Sequence, residues 1–187
     1  MLTDKNIFSA LLDNDEAFGL VARELKTSPG ELANFLRAAV CKSTKAIIHV
    51  DGGARGNPGE AGAGVVFAMN QKKTGYYFYL GTVTNNIAEY TGLLNSLKLA
   101  VAEKAREVIV YSDSELVCKQ INGEYKVKNP GLQKIYRQCL QLIDRIDSFR
   151  IQHVPRAKNR EADRLANKAM DLKKNGKIEL SVAGFTG

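Results

Sequence analysis

Short runs of apolar residues recur along this chain, and most of them stop at a glycine, an amide or a charged residue. Residues 45–50 and 108–111 are rich in β-branched side chains, which is typical of strands in the middle of a sheet. Residues 64–69 and 74–80 flank the polar sequence Asn-Gln-Lys-Lys and therefore predict an antiparallel hairpin. A further strand is expected near Ile151.

Between these strands the apolar residues are spaced three and four apart, which is the period of a helix with one buried face. The clearest case is a helix that Asn85 or Asn86 can cap and that continues to about Ala102. The face predicted to pack on the sheet consists of Glu89, Gly92, Leu93, Ser96, Leu97 and Ala100. Glu89 is therefore expected to point inward from the first turns of this helix.

Shorter helices are expected over residues 114–121 and 132–146, and a last one opens near Asp163. The apolar stripe of that last helix consists of Ala162, Leu165, Ala166 and Ala169. Strands joined by a helical crossover lie parallel to each other in a sheet. Residues 45–172 therefore predict an α/β domain, a mixed five-stranded sheet flanked by helices. Residues 173–187 follow as a basic tail with one possible short strand at residues 178–182, and we assign this tail no role.

The first forty residues differ from the rest and predict a small all-helical appendage made of three short amphipathic segments. A spacing similar to that of a helix-turn-helix is formed by Ala22, Leu25, Ser28, Leu32 and Phe35. Lys26 stands where a glycine commonly turns the chain, and the outward recognition face would consist of Glu31, Asn34 and Arg37. Two hypotheses remain for residues 1–40. They bind nucleic acid, or, as we favour, they form a structural module or a self-association contact.

Composition and charge narrow the class of partner. The 187 residues are 44% hydrophobic and 25% charged, which suits one ordinary α/β core with a small addition. A net charge of +7 favours a polyanion, although a membrane surface would attract it too. The sequence has no secretory signal pattern and no apolar run of bilayer length, so a cytoplasmic location without membrane insertion is expected. Irregularly spaced Cys41, Cys118 and Cys139 predict reduced thiols.

Four acidic residues stand where the pattern predicts at least partial burial. Asp51 ends the first strand, and Asp113 follows the strand at residues 108–111. Glu89 lies in the long helix, and Asp163 lies at the start of the last one. Carboxylates brought together repel one another, so that their pKa values rise unless cations neutralise them. Oxygen ligands suit Mg²⁺ or Mn²⁺, and no His or Cys cluster with zinc spacing occurs.

The motifs around these acids are His-Val-Asp-Gly-Gly-Ala-Arg-Gly-Asn-Pro-Gly, Thr-Asn-Asn-Ile-Ala-Glu-Tyr, Val-Tyr-Ser-Asp-Ser-Glu and Asn-Arg-Glu-Ala-Asp-Arg-Leu-Ala. In this order, over residues 45–172, they resemble the active site of a type 1 ribonuclease H. The resemblance implies a ribonuclease H-like fold and an endonuclease that cuts the RNA strand of RNA–DNA hybrids with two metal ions, leaving 5′-phosphate and 3′-hydroxyl ends. It also implies that Asp51 bridges both ions, that Asp163 holds the water-side ion, and that Glu89 and Asp113 hold the other.

Three alternatives were weighed against this interpretation. A proofreading exonuclease also uses one Glu and three Asp, but it needs an acid two residues after Asp51, where this chain has Gly53. A noncatalytic nucleic-acid-binding module of the same fold would not require acids at all four positions. Cleavage of double-stranded RNA stays open, because the chain lacks Trp and leaves little room for the basic protrusion with which some family members grip hybrids.

The resemblance also implies a set of substrate contacts. Backbone groups near Gly52, Gly53, Ala54 and Glu89 would meet RNA 2′-hydroxyls, which distinguish RNA from DNA. Side chains expected to contact nucleic acid are Asn57, Asn85 and Asn86, with Thr84 at a phosphate of the DNA strand. An alternative makes Asn57 a turn residue and the other three a helix cap, and the two hypotheses are compatible.

The chain departs from the family in the loop before the last helix. Many members carry a mobile catalytic histidine there, and the ten-residue spacing from His153 to Asp163 matches it. Alignment of the strand end instead puts His153 on the strand, which is the interpretation we favour over a proton-transfer or product-release role. Arg156 is then better placed to meet the scissile phosphate as a fixed cation, and Lys158 is a weaker candidate for the same task.

Overall fold

The computed structural model describes residues 14–40 and 44–181, and the chain divides into two compact units. We call Met1–Ser43 the N-terminal unit and Thr44–Gly187 the C-terminal unit. Among the described residues, no helix is long and apolar enough to cross a membrane.

The N-terminal unit shows two helices, α1 (Asp15–Glu24) and α2 (Pro29–Val40). Phe18, Ala22 and Leu32 form its small buried core. Leu25 is 61% exposed, so this position of the predicted helix-turn-helix spacing lies outside the core, because the chain turns there after α1 ends. The first of the three predicted segments and the side chains of Phe35 and Arg37 lie outside what the structure describes.

Glu31 has a local structural task at the start of α2. The Ser28 N–H donates to Glu31 Oε2 and the Glu31 N–H donates to Ser28 Oγ, each at 3.1 Å, which is a reciprocal capping box. Thr27 Oγ1 donates to the same carboxylate oxygen at 3.1 Å. Glu31, one residue of the predicted recognition face, therefore caps the start of α2.

The C-terminal unit alternates strands with helices after an initial three-stranded meander. In chain order its elements are β1 (Lys45–Gly56), β2 (Gly59–Met69), β3 (Lys72–Val83), α3 (Asn85–Ala102), β4 (Glu107–Ser112), α4 (Glu115–Ile121), α5 (Pro130–Ile143), β5 (Ser148–His153), a 3-10 turn (Arg156–Lys158), α6 (Arg160–Leu172) and β6 (Gly176–Glu179).

These strands form one mixed sheet in the order β5-β4-β1-β2-β3-β6. β4 lies parallel to β1 and to β5, whereas the contacts of β2 with β1 and of β3 with β2 and β6 are antiparallel. The predicted mixed sheet with flanking helices is confirmed, but it has a sixth strand. β6 overlaps the possible short strand expected at residues 178–182 of the tail, begins two residues earlier than expected, and pairs with the open edge of β3.

Several helices and strands begin or end at residues other than those predicted, and the cause is local in each case. β2 begins at Gly59 and not at Gly64, because the stretch between them is paired with β1. The β2–β3 turn is only Asn70–Gln71, and both residues have positive φ angles, of 53° and 60°. α5 starts two residues early at Pro130, since the Asn129 side chain caps it. In α4 and α5 the free thiols of Cys118 and Cys139 are buried, as predicted.

Alternate residues of the central strands pack on opposite faces of the sheet. On one face Ile48, Val50, Val108 and Val110 contact the inner side of α3, including Leu93 and Leu97, in the larger core. On the other face α6 packs on β2 and β3 through a second core of Val66, Tyr77, Ala162, Leu165 and Ala169. The packing of α3 on one face and of α6 on the other therefore fixes how each helix approaches the place where β1 and β4 carry their acids.

Candidate active site

The site forms where β1 passes the carboxyl end of β4. Val50 pairs with Ser112, the last residue of β4, so Asp51 on β1 and Asp113 after β4 emerge at the same edge. Glu89 reaches this edge from the second turn of α3, and Asp163 reaches it from the first turn of α6. The four predicted acids are thus delivered by four separate elements to one place.

Burial and mutual repulsion act together on two of these acids. The pKa of Asp51 is raised to about 7, first by burial and then by the charges of Asp113 and Asp163. The pKa of Glu89 is also raised to about 7, mainly by burial, while hydrogen bonds to Ser114 and Asn85 oppose the shift. Without a cation, this side of the site therefore disfavours its fully ionised form.

The other two acids have strong partners from the chain itself. Asn159 Nδ2 donates to Asp113 Oδ1 at 2.7 Å. Arg156 Nη2 lies 2.7 Å from Asp163 Oδ1 in a charge-assisted hydrogen bond. Asn167 Nδ2 donates to the backbone carbonyl of Asp163 at 3.0 Å and makes a longer contact of 3.4 Å with its Oδ2. Each carboxylate is therefore oriented by donors before any ligand arrives.

Asn159 is the site residue that the sequence analysis missed. Its side chain is buried at 1% exposure, and Nδ2 also donates to the Val50 carbonyl at 2.9 Å. One amide thus joins β1, the end of β4 and the start of α6. The available signal was its position four residues before Asp163 at a helix start, which by itself is typical of a capping residue.

The glycine-rich sequence after Asp51 lies within β1, and its two glycines have different surroundings. A Cβ on Gly52 would collide with the backbone of Ala88, so this glycine permits close packing of α3 on β1. Gly53 has open space where its Cβ would be. The Ala54 N–H donates to Asn85 Oδ1 at 3.2 Å. Of the two glycines, Gly53 is therefore the one whose Cα faces open space.

The amide residues around α3 hold the loops to one another. Asn57 Oδ1 accepts the N–H of Asn85 at 3.1 Å. The cap of α3 is Thr84, whose Oγ1 accepts the Ile87 N–H at 3.4 Å, and the predicted cap by Asn85 or Asn86 is wrong. Asn85 instead lies inside the first turn, where its Nδ2 donates to Glu89 Oε1 at 3.1 Å. Asn86 remains exposed.

The loop before α6 matches the interpretation that puts His153 on a strand. His153 is the last residue of β5, opposite Ser112, and its side chain is exposed. Arg156 and Lys158 begin and end the 3-10 turn that follows, and both are exposed. Of these three candidates, Arg156 is the one that directly contacts a predicted catalytic acid.

The family model described as reverse transcriptase-like matches residues 49–169 of this chain. Ribonuclease HI of Halobacterium salinarum is 36% identical over 127 residues, which cover 66% of this chain and 63% of that protein. The solved structure of that archaeal ribonuclease H1 covers 68% of this chain and 98% of its own, with a TM-score of 0.63. The chain belongs to the type 1 ribonuclease H family.

Two further family members extend this comparison. The bifunctional protein Rv2228c of Mycobacterium tuberculosis is 44% identical over 134 residues, covering 68% of this chain and 36% of the mycobacterial protein. The chain therefore matches about a third of that relative's length. LC11-RNase H1, isolated from compost by a metagenomic approach, was solved in complex with an RNA/DNA hybrid. That structure is 39% identical, has a TM-score of 0.63, and covers 68% of this chain and 98% of its own.

Type 1 ribonucleases H use divalent metal ions, and the site here has a fitting set of donors. All four acids offer hard oxygen ligands, and the raised pKa values of Asp51 and Glu89 mark where positive charge is most favourable. In the part of the chain that the structure describes, no three acidic, His or Cys side chains stand in ready-made metal-binding geometry.

Proposed function

We propose that the C-terminal unit hydrolyses the RNA strand of RNA–DNA hybrids as an endonuclease that uses two divalent metal ions, Mg²⁺ or Mn²⁺. The observation that carries this proposal is the convergence of Asp51, Glu89, Asp113 and Asp163 at one sheet edge, two of them with pKa values raised to about 7. Family membership and the hybrid bound by a relative support the same substrate.

The acids divide the work according to their surroundings. Bound divalent ions would supply water activation on one side of the phosphate and stabilisation of the leaving oxygen on the other. Asp51 is acted on by the charges of both Asp113 and Asp163, and so it is the acid suited to hold two ions. Asp163 and Asp51 would hold one ion, and Glu89, Asp113 and Asp51 would hold the other. The products carry 5′-phosphate and 3′-hydroxyl ends.

Arg156 orients the phosphate in this proposal. Its side chain is 78% exposed, and exposed ion pairs contribute only about 0–1 kcal/mol. The guanidinium can therefore exchange its contact with Asp163 for a phosphate oxygen when substrate arrives, whereas a buried pair could not. A fixed cation also requires no proton transfer, in contrast to the histidine of related enzymes.

Contacts with the RNA strand come from the last residues of β1 and the turn that follows it. The accessible backbone at Gly53 and Ala54 approaches 2′-hydroxyls, and Asn57, Thr84 and Asn86 contact the nucleic acid around the start of α3. Asn85 acts by aligning Glu89 and the Ala54 backbone, since its side chain bonds to both. This arrangement would discriminate RNA from DNA at the cleaved strand.

The test uses four end-labelled substrates of one sequence: RNA–DNA hybrid, RNA duplex, DNA duplex and single-stranded RNA. Each is incubated with Mg²⁺, Mn²⁺ or a chelator. We expect endonucleolytic cleavage of the hybrid RNA strand, dependent on divalent metal, and none with the Asp113→Asn variant. Cleavage of the RNA duplex at a similar rate would replace the hybrid by double-stranded RNA as substrate. Hybrid binding without cleavage would show a noncatalytic module and overturn the proposal.

A further inference from the structure

A basic cavity opens beside the acidic site, on the side of α6 and the turn before it. Its volume is about 540 Å³, and its lining residues are Arg156, Ala157, Arg160, Asp163 and Arg164. Arg160 and Arg164 are four residues apart on α6, so their side chains share a helix face. Arg156 joins them from the 3-10 turn. Three guanidinium groups thus surround a cavity whose single acidic lining residue is a predicted metal ligand.

Two of these arginines carry uncompensated charge. Two other arginines of the C-terminal unit are ion-paired, Arg55 with Asp171 and Arg106 with Asp147. Within residues 14–40 and 44–181, neither Arg160 nor Arg164 forms an ion pair. With Arg156 already bonded to Asp163, the cavity keeps two net positive charges.

The neighbouring acid on α6 does not neutralise this charge. Glu161 lies between the two arginines in sequence, but its Oε2 is 2.6 Å from the Nζ of Lys73 on β3. The Lys73 side chain is only 6% exposed, so this pair is turned toward the body of the unit. The first turn of α6 adds the positive end of a helix dipole to the same surface. The cavity therefore attracts anions.

Guanidinium groups bind phosphate through two parallel hydrogen bonds, and this makes arginine the usual residue for nucleic-acid backbones. We propose that Arg160 and Arg164, with Arg156, form a phosphate subsite that holds the nucleic-acid backbone next to the scissile phosphate. This inference rests on the proposed function, because it assumes that nucleic acid passes over Asp163. The occupant is one or two backbone phosphates of the bound substrate.

The subsite also accounts for how this chain grips nucleic acid without a basic protrusion. Residues 122–129 connect α4 directly to α5, and the chain has no Trp. Electrostatic contacts with phosphates supply most of the nonspecific affinity of nucleic-acid-binding proteins. Arginines on α6 provide such contacts beside Asp163, and these contacts do not depend on base sequence.

The experiment compares Arg160→Ala/Arg164→Ala with Arg137→Ala/Arg145→Ala. The control residues are also exposed and without an ion pair in the described structure, so the change in net charge is identical. Hybrid binding is measured by fluorescence anisotropy in chelator over a salt series, which keeps the substrate intact. Cleavage kinetics in Mg²⁺ are measured in parallel.

We expect the slope of log K against log salt to decrease by about 2 in the Arg160/Arg164 variant, since each lost phosphate contact removes roughly 0.9. KM should rise about tenfold or more, while kcat changes less than about twofold, because the acids remain. The control variant should keep most of the parental slope. Arg160→Lys/Arg164→Lys should retain the slope and lose part of the affinity, because the ammonium group lacks the guanidinium fork.

An unchanged slope in the folded Arg160/Arg164 variant would overturn the subsite, and so would an equal decrease in the control variant. If the double variant fails to fold, each single alanine variant is expected to lose about half of the slope change, and two single variants with the parental slope would overturn the subsite equally. The binding measurement is independent of cleavage. A parental protein that binds hybrid but does not cut it would therefore contradict the proposed function while still testing the subsite.

Discussion

The two sides of the acidic site balance their charges in different ways. We call Asp51 and Glu89 the desolvated pair, because burial is the largest cause that raises the pKa of each to about 7. Asp113 and Asp163, the partnered pair, each accept a hydrogen bond of 2.7 Å, from Asn159 and Arg156. Carboxylates at one sheet edge therefore serve two different purposes. The desolvated pair makes the site favourable for cations, and the partnered pair is held in position by the chain.

This arrangement has a physical cost that only a ligand can offset. Burying a carboxylate without a partner is unfavourable, and neighbouring carboxylates add repulsion. Asn159 and Arg156 relieve part of that repulsion at the partnered pair, whereas the partners of Glu89 among the described residues are the neutral side chains of Asn85 and Ser114. The four acids are thereby kept together at the expense of stability in the metal-free protein.

The largest effect should come from neutralising the centre of the desolvated pair. Asp51→Asn is expected to lower hybrid cleavage by at least ~10³-fold, equivalent to about 4 kcal/mol, because it removes the acid between Asp113 and Asp163. In chelator at pH 8 the same variant should have a higher Tm than the parent, since a buried charge is lost. Asp113→Asn should abolish cleavage as well, with a smaller gain in Tm. Equal gains in Tm for the two variants would contradict the distinction between the desolvated pair and the partnered pair.

The second prediction concerns pH. The ordinary pKa values of Asp51 and Glu89 are 3.8 and 4.5, and the folded values are about 7. Between these values the folded protein binds more protons than the unfolded chain, so stability falls as pH rises from about 4 to 7. Thermal melts in chelator should therefore show a lower Tm at pH 8 than at pH 5. Mg²⁺ should restore Tm at pH 8.

The matched variant for this pH experiment is Asp51→Asn/Glu89→Gln, which keeps the shapes of both side chains. Its Tm should vary much less with pH over the same range, and Mg²⁺ should have little effect on it. A parental Tm that rises between pH 5 and 8 in chelator would mean that other groups outweigh the desolvated pair.

The third prediction removes the amide that supports the partnered pair. Asn159→Ala should reduce kcat about 10²-fold and destabilise the fold by about 1–3 kcal/mol, because buried acceptors lose their donor. Asn167→Ala is the matched control, since its amide bonds to Asp163 at longer distance and is less buried. Both variants are compared well below Tm, so that loss of folded protein does not imitate loss of turnover. Similar kcat values for the two would make Asn159 a purely structural residue.

The fourth prediction separates the two loop candidates. Arg156→Ala should reduce turnover about tenfold, because Arg156 contacts Asp163 and lies where a phosphate can approach. His153→Ala should change turnover less than about twofold and leave the pH–rate profile unaltered, since His153 ends β5. A slower His153 variant with a changed profile would assign proton transfer to the histidine and contradict the role given to Arg156.

The smallest effect on catalysis is expected from deleting residues 1–40. Both acid pairs lie in the C-terminal unit, so kcat on saturating hybrid should remain within about twofold of the parental value. If the N-terminal unit is structural or self-associating, the salt dependence of KM should survive, and the change should appear in stability or in mass measured by light scattering. A flatter salt dependence would support nucleic-acid binding by this unit.

Much of the fold follows from local patterns. The spacing of apolar residues predicted both ends of α3 to within about one residue. This was possible because the capping residues and the buried face of α3 lie close together in the sequence. The same patterns indicated a possible short strand at residues 178–182, and β6 begins two residues earlier, at Gly176, where the chain pairs with the open edge of β3. They also assigned the cap of α3 to Asn85 or Asn86, where three consecutive polar side chains compete for one position.

For the site, the sequence by itself indicated which acids come together, since each stands in one of four motifs that occur in order along the chain. Asp51, however, was expected to end its strand, and it lies within β1, which continues to Gly56. Only the tertiary structure decided which of these carboxylates are desolvated and which receive hydrogen bonds from distant residues. Asn159 bonds to groups 46 and 109 positions earlier in the chain, and Gly52 is required by contact with α3. Hydrogen bonds and desolvation depend on distances across the fold, and no local pattern encodes which distant donor arrives beside a given carboxylate.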